Sequence, residues 1–496
     1  MTAPLVRELE RQNASRRSAA VRRSLDALAQ ADVRVVVTGQ QVGLFLGPAY
    51  AFYKAATAIA LARRLADAPV VPIFWLQSED HDADEVAACD VLDEADEPRK
   101  VRLEVEGAAR ASLGERRLGE GVTRALDALA EALGHEPHVD EVMALLAAAY
   151  RPEATWVEAF AQAFGAIFDD AGLLLLDPRQ DAVAALAAEV QRRAIVDAAA
   201  LEEAVQVGAA ALEARGRVPL VTPRPGCSLG FYHPDGPEGS RYRLVRDGER
   251  WRCPGRDGVW TTAALVEELA REPRRFSTSS LLRVVVQDSL LPTAAQVAGP
   301  SEAQYLEQMP PLHEAFGLRS PDVVLRGRFV VTDTAARRRL AALGLDATAV
   351  GGGPEAILER LASEEPGPNG DEVAARLVEA MGRELDALTP DLQAIDASLA
   401  HAVERTRRHV ARGAGSLGRR IDRARARRDG VRNERVAWLC RRLAPGGIPQ
   451  ERGLSFVALA ARYGIATLRE AVAARVEDHL AISNEGRAPG LLEVAL

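Results

Sequence analysis

The sequence predicts an α/β fold with a parallel-sheet core, an inserted β-rich segment and a long antiparallel α-helical coiled-coil arm. A β-branched run at 33–37, a helical pattern at 48–65 and an apolar run at 70–76 together form one βαβ unit. A segment rich in Gly, Pro and aromatic residues follows at 223–260. Beyond residue 371, apolar residues recur at the spacing of a coiled coil.

The core is expected to begin after a charged N-terminal helix. Because a right-handed crossover joins parallel strands, the βαβ unit predicts a parallel sheet, which further strands at 172–176, 282–286 and 322–325 would extend. The segment at 223–260 is predicted to form antiparallel hairpins. The core should therefore span residues 1–370, with insertions at about 90–150 and 220–260.

The arm is predicted to span 371–444, after a linker-like cluster (EEPGPNGDE) around Gly370. GAGSLG at 413–418 is interpreted as the turn into a returning, arginine-rich helix, whose charges are attributed to a solvated coiled-coil face rather than to RNA binding. Residues 445–496 are expected to pack back on the core. The apolar seam predicts a homodimer, and it consists of Met381, Leu385, Leu388, Leu392, Ile395 and Leu399.

The composition excludes several classes of protein. The 496 residues are 48% hydrophobic and 27% charged, as in an ordinary soluble domain, and the net charge of −9 argues against a nucleic-acid partner. No run is apolar enough for a secretory signal or a membrane span, so a cytoplasmic protein is predicted. The four cysteines lack CxxC spacing, which predicts neither a zinc site nor disulfides.

The first candidate motif is TGQQVGLFLGP, at 38–48, between the first strand and the following helix. Its glycines allow close backbone approach, and Pro48 is predicted at the first helical position, where free N–H groups attract anions. A purely structural turn is the alternative interpretation. The candidate anion-binding residues are Thr38, Gly39, Gln40, Gln41, Gly43 and Gly47.

The second motif is FWLQSEDHDADE, at 74–85, after the second strand. Ligands of open parallel sheets bind outside the carboxyl ends of the strands, so this loop and the first motif should open on one crevice. Asp80, His81 and Asp82 are the candidate catalytic residues, able to position an amine, move protons or hold Mg²⁺, with Trp75 and Glu79 as binding residues. The alternative is a helix N-cap.

The third motif, at 281–305, is interpreted as strand, loop and helix, and repeats the Gly-Pro pair at Gly299. It offers a second helix N-terminus for a carboxylate or phosphate. A surface ion pair is the alternative role for its arginine. The candidate binding residues here are Arg283, Gln287, Gly299 and Ser301, with Arg326 at the end of a later strand.

At these motifs the sequence resembles the bacillithiol-biosynthesis cysteine-adding enzyme family. The resemblance covers most of the chain and includes VVLRGRF, IDASLAHAV and RNERVAWLCRRLAPGGIPQER in addition to the three motifs. It implies a Rossmann-like core, a coiled-coil dimerisation domain, a substrate-binding canyon and an adenine nucleotide, ATP or ADP.

The resemblance implies a ligase that adds cysteine to glucosaminyl-malate, the last step of bacillithiol biosynthesis. A free carboxylate is unreactive at neutral pH, so ATP is the expected activator. Asp80 and Asp82 would orient the amine or Mg²⁺, His81 would handle protons, and Lys54 and Arg326 would pair with the malate carboxylates. The alternatives are a nucleotidyl-transfer enzyme and a non-catalytic coiled-coil ligand-binding protein.

Overall fold

The computed structural model describes residues 1–65, 68–105, 107–108, 110–222, 224–363, 369–427, 430–485, 487 and 489–496. It divides into two compact units. The first comprises Met1–Phe329 and Leu454–Val494, and the second comprises Val330–Gly453 and Ala495–Leu496. The division therefore falls about 40 residues before the predicted start of the arm. Residues 364–368 of the predicted linker lie outside the described residues, and the rest of it begins a helix at Gly370.

The core of the first unit is a five-stranded parallel sheet in the order β12-β11-β1-β2-β5. This confirms the predicted α/β class. The strands end near one level, because Gln40 lies opposite Leu76 and Ala298 lies opposite Leu325. The sheet strands are β1 (Arg34–Gln40), β2 (Val70–Leu76), β5 (Leu174–Leu176), β11 (Thr293–Ala298) and β12 (Asp322–Leu325).

Helices cover the sheet and bury its apolar side chains, as a parallel sheet requires. Phe52 stacks on Phe456 with ring centroids 4.6 Å apart, which places part of the predicted C-terminal segment on the core. The helices of this unit are α1 (Ala3–Gln12), α2 (Ala19–Leu28), α3 (Ala49–Arg64), α4 (Ala83–Val86), α5 (Gly121–Leu133), α6 (Val139–Ala149), α7 (Trp156–Ile167), α8 (Asp181–Val196), α9 (Ala198–Glu213), α10 (Thr262–Arg271), α11 (Ser280–Leu290), α12 (Pro300–Leu306), α13 (Pro310–Ala315), α20 (Phe456–Tyr463) and α21 (Ile465–Asn484).

The inserted segments form two antiparallel sheets. The predicted hairpins belong to a sheet in the order β10-β6-β7-β8-β9, and the earlier insertion contains the β3-β4 hairpin. These strands are β3 (Ala88–Leu92), β4 (Pro98–Arg102), β6 (Cys227–Tyr232), β7 (Tyr242–Asp247), β8 (Arg250–Arg252), β9 (Val259–Thr261) and β10 (Phe276–Thr278). Two further short strands are β13 (Phe329–Thr332) and β14 (Leu492–Ala495).

The predicted strand at 282–286 is wrong, because this stretch lies within helix α11. Ser279 caps the helix by accepting a hydrogen bond from the Leu282 backbone N–H at 3.3 Å. All residues from Leu281 to Gln287 are buried, and the run of three valines at 284–286 resembles a buried strand in sequence. The strand of this region is instead β11, which the sequence analysis missed.

The second unit contains the helical arm. The helices of this unit are α14 (Thr334–Leu343), α15 (Pro354–Ser363), α16 (Gly370–Ile395), α17 (Leu399–Ala426), α18 (Gly430–Leu443) and α19 (Gln450–Gly453). Helices α16 and α17 form the predicted hairpin, and Leu385, Leu392 and Leu399 of the seam are partly buried.

The hairpin turn was predicted at the wrong place. The chain reverses at Asp396–Ser398, where the Asp396 carboxylate accepts a hydrogen bond from the Ser398 N–H at 2.8 Å. Residues 413–418 lie inside α17. Gly418 is a packing residue, since a Cβ there would lie 2.6 Å from the carbonyl oxygen of Gly370 on the neighbouring helix.

In the part of the chain that the structure describes, no helix is long and apolar enough to cross a membrane. The four cysteines are free and buried.

Candidate functional site

The first two predicted motifs meet at the carboxyl end of the parallel sheet. The Gln41 side chain, just beyond β1, donates a hydrogen bond to Asp80 Oδ2 at 2.7 Å and another to Glu85 at 2.8 Å. Asp80 lies in the loop that follows β2. This contact confirms that the two loops share one edge, as expected for an open parallel sheet.

A cavity of about 270 Å³ lies between this edge and the antiparallel sheet. Five of the residues predicted from the sequence line it, namely Trp75, Glu79, Asp80, His81 and Arg283. The residues of the opposite wall were not predicted from the sequence, and they include Cys227, Phe231, Arg241, Arg243 and Thr278.

Asp80, His81 and Arg241 form a charged cluster in the cavity wall. Arg241 is buried and donates hydrogen bonds to Asp80 Oδ1 at 3.2 Å and to His81 Nδ1 at 2.8 and 3.1 Å. Burial raises the pKa of Asp80, but the hydrogen bonds from the His81 backbone N–H and the Gln41 side chain and the charge of Arg241 outweigh it and hold that pKa well below its ordinary value. Asp80 is therefore a carboxylate at neutral pH.

The other carboxylates of the loop have different surroundings. Glu79 accepts hydrogen bonds from the backbone and the hydroxyl of Thr278, so it ties the loop to β10. Asp82 is exposed and caps the short helix α4 by accepting from the Glu85 N–H at 3.4 Å. Asp82 is absent from the cavity lining, and its contacts are those of the alternative N-cap interpretation.

Beside the cavity, the structure buries an ion-pair network built on Glu302. Its carboxylate accepts hydrogen bonds from Lys54 at 2.6 Å, from Arg283 at 3.2 Å and from Gln296 at 3.2 Å. Burial raises the pKa of Glu302, but the charges of Lys54 and Arg283 outweigh it and lower that pKa below its ordinary value. Gln287 joins the network through Arg283 at 3.3 Å.

Several groups that were predicted to bind substrate instead make hydrogen bonds within this network. Lys54 also donates to the carbonyl oxygen of Gly39 at 2.7 Å and to Gln40 at 3.1 Å, and only 4% of the residue is exposed. Glu302 accepts from the Gly299 N–H at 3.4 Å, so the chain's own carboxylate fills the helix start predicted to bind an anion. Ser301 is exposed on α12. The Arg326 guanidinium lies 5.3 Å from the ring centre of Tyr50.

The remaining residues of the first motif pack within the protein. Thr38 and Gly39 belong to β1, where the Thr38 hydroxyl donates to the Val297 carbonyl at 2.9 Å. Pro48 is the N-cap of α3 rather than its first residue, and the Ala49 N–H donates to the Leu454 carbonyl at 2.9 Å. That helix start therefore already has a partner.

Gly43→Val is expected to destabilise the protein rather than to damage ligand binding selectively. A Cβ at Gly43 would lie 2.9 Å from the Gly47 Cα, in a buried turn where backbone cannot yield easily. Overpacking of this kind costs about 1–3 kcal/mol. Thermal unfolding measures the loss. Gly351→Val is the control, since its Cβ would meet no atom within 4 Å. Unchanged stability with lost ligand binding would restore the anion-site interpretation.

Among the described residues, no group of three or more His, Cys, Asp or Glu side chains is arranged to hold a metal ion. The carboxylates of the second motif point to different partners: Asp80 to Arg241, Glu79 to Thr278 and Asp82 to the start of α4. Asp80 and Asp82 therefore do not form a shared set of ligands for the predicted Mg²⁺.

Comparison with known proteins finds family matches to two successive parts of the chain. Residues 2–327 match the family described as "Bacillithiol biosynthesis BshC, N-terminal Rossmann-like domain", and residues 329–478 match "Bacillithiol biosynthesis BshC, C-terminal coiled-coil domain". Similar proteins named "Putative cysteine ligase BshC" include one from Salinibacter ruber, 31% identical, covering 90% of this chain and 82% of its own length. Another, from Thermus thermophilus, is 32% identical and covers 90% of this chain and 87% of its own length.

Proposed function

Because this chain belongs to the BshC family of bacillithiol biosynthesis, we propose that it adds cysteine to glucosaminyl-malate through an amide bond, as the last step of that pathway. The observation that carries the proposal is the cavity at the carboxyl edge of the sheet, where Asp80, His81 and Arg241 form one polar cluster. The cavity has the position in which open parallel sheets bind their ligands.

The chemistry of the cavity wall fits a small polar substrate. Asp80 is ionised and partly exposed, so it can attract the amino group of a substrate. Arg243 lines the same cavity and can bind a carboxylate or phosphate. Trp75 and Phe231 contribute apolar surface. A site with a few convergent polar groups on apolar walls is typical of small-molecule binding.

Amide formation requires an activated carboxyl group, and ATP with Mg²⁺ is the activator that we propose. Both helix starts predicted to bind an anion already contact the protein's own groups, the Leu454 carbonyl and the Glu302 carboxylate. We therefore assign the phosphate contacts in the cavity to arginine side chains such as Arg243.

The test is product formation by the purified protein with glucosaminyl-malate, cysteine, ATP and Mg²⁺, with and without extract from bacillithiol-producing cells. The expected result is the amide-linked thiol, identified by its mass, together with AMP or ADP. Binding of glucosaminyl-malate without turnover, even with extract present, would support the non-catalytic alternative. Nucleotide transfer to glucosaminyl-malate without amide formation would support the nucleotidyl-transfer alternative.

We also propose that the arm mediates a homodimer. Met381, Leu388 and Ile395 are 41%, 50% and 77% exposed, and their spacing of seven residues places them on one stripe of α16. Replacing all three with Glu is expected to yield a monomer, because charges would face each other across the seam. Sedimentation measures the mass. Gln393→Glu, at another exposed position of the same helix, is the control and should remain dimeric. A dimer that survives the triple substitution would place the interface elsewhere.

A further inference from the structure

Arg241 reaches the loop after β2 from a distant part of the chain. It lies immediately before β7, and its guanidinium contacts residues about 160 positions earlier. Its Nε and Nη2 atoms lie 3.1 and 2.8 Å from His81 Nδ1, and Nη2 lies 3.2 Å from Asp80 Oδ1. A guanidinium group has only donors. His81 Nδ1 must therefore act as an acceptor, and the ring proton lies on Nε2.

We propose that Arg241 is a positioning residue that holds His81 in its Nε2–H tautomer. His81 lines the cavity, and with Nδ1 occupied the Nε2–H group is the part of the ring available to a ligand. The imidazole then donates a hydrogen bond to a carbonyl, carboxylate or phosphoryl oxygen of the substrate. This differs from the general-base form of the proton-handling role predicted from the sequence, since a base requires a ring nitrogen free to accept the substrate's proton.

The opposite tautomer has a poorer arrangement of contacts. A proton on Nδ1 would be directed at Asp80 Oδ1, which is 3.5 Å away, but it would meet the two guanidinium donors at shorter distances. Asp80 Oδ1 already accepts from the His81 backbone N–H at 2.7 Å and from Arg241. The donors around this oxygen are thus supplied without the imidazole.

The guanidinium group is held firmly enough to impose this choice. Arg241 is 7% exposed, and its guanidinium lies over the ring of Phe231, 4.4 Å from the ring centre. It also contacts the Thr278 carbonyl at 3.5 Å. Contacts on several sides restrict its rotamers, as positioning of a catalytic group requires.

The role of the Nε2–H group towards a substrate rests on the proposed function, but the tautomer of His81 can be measured in the protein without any substrate. Protein labelled with ¹⁵N at its eight histidines is examined by NMR at neutral pH, and His81→Gln identifies the His81 signals by their loss. We expect a protonated Nε2 and an unprotonated, hydrogen-bonded Nδ1. A protonated Nδ1 in the wild-type protein would overturn the proposal. This measurement needs no substitution at Arg241, so it does not depend on a variant that folds.

Substitution then tests whether Arg241 causes the tautomer. Arg241→Met is expected to release it and to lower kcat about tenfold or more with a smaller change in KM, as for loss of a properly oriented donor. Arg241→Lys keeps a donor and should retain the Nε2–H form. Arg246→Met, on β7 but paired with Glu202, is the control and should leave the His81 signals unchanged. An unchanged tautomer in Arg241→Met would overturn the assignment.

The two proposals fail separately. If wild-type protein has the expected tautomer but makes no amide from cysteine and glucosaminyl-malate, the proposed function fails and the assignment of Arg241 stands. If it makes the amide while His81 carries its proton on Nδ1, only the assignment of Arg241 fails.

Discussion

Glu302→Leu is expected to destabilise the protein by about 3–5 kcal/mol, the usual cost of breaking a buried ion pair. The substitution leaves Lys54 and Arg283 buried without the carboxylate that accepts hydrogen bonds from both. Lys54 and Glu302 are 4% and 8% exposed, so water cannot replace the lost contacts easily. Urea unfolding followed by circular dichroism measures the change in the free energy of unfolding.

The double variant Lys54→Met/Glu302→Leu is the matched control. It removes opposite charges together, so it should recover part of the stability lost in the single variant. The remaining loss is that of burying Arg283 without the Glu302 carboxylate. A loss below about 1 kcal/mol in Glu302→Leu would show that water replaces the contacts of the Glu302 carboxylate and that the buried ion pair does not stabilise the fold.

The ion pair between Lys54 and Glu302 also predicts that the stability of the protein depends on pH. The folded-state pKa of Glu302 is lowered, so its contribution to stability is present above the pKa of the unfolded chain and is lost as pH falls through the folded pKa. The difference in stability between the wild type and Glu302→Leu should therefore shrink on acidification below the pKa of an ordinary glutamate. Urea unfolding of both proteins across a pH series measures it.

The sequence predicted those parts of the fold whose local pattern matches their environment. Strands β1 and β2 are runs of β-branched and other apolar residues, and helix α3 lies between them as expected. Strand β11 (TAAQVA) was missed because it contains few β-branched residues and includes a buried Gln296 held by the Glu302 network. Helix α11 was mistaken for a strand because its residues are buried on every side.

The candidate site was predictable where it depends on residues close in sequence. The end of a strand locates Asp80 and His81, but Arg241 and Arg243 reach the cavity through the antiparallel insertion. Their spacing of two residues at the start of β7 places both on the face that carries Phe231, a pattern visible in the sequence once the strand is assumed. Which carboxylate each cation would meet depends on tertiary contacts, so local spacing could not show that Lys54 is paired with Glu302.

Asp80→Asn and His81→Ala are each expected to lower the rate of thiol product formation by about 10²-fold or more, the scale for loss of a catalytic hydrogen-bonding or charged group. Asp80→Asn removes the negative charge that pairs with Arg241 and faces the cavity. His81→Ala removes the imidazole that Arg241 orients. Product is measured from glucosaminyl-malate and cysteine with cell extract supplied, so that absence of a partner protein cannot be mistaken for loss of catalysis.

Asp82→Asn is the matched comparison, because it makes the same chemical change two residues away. Asn caps a helix about as well as Asp, and Asp82 is exposed and does not line the cavity, so the structure predicts a change in rate of less than about threefold. A 10²-fold loss in Asp82→Asn would instead support the catalytic role predicted from the sequence. Circular dichroism establishes that each variant is folded. Wild-type rates in both the Asp80 and His81 variants would contradict the proposed cluster, because its charge and its donor would then contribute nothing to the reaction.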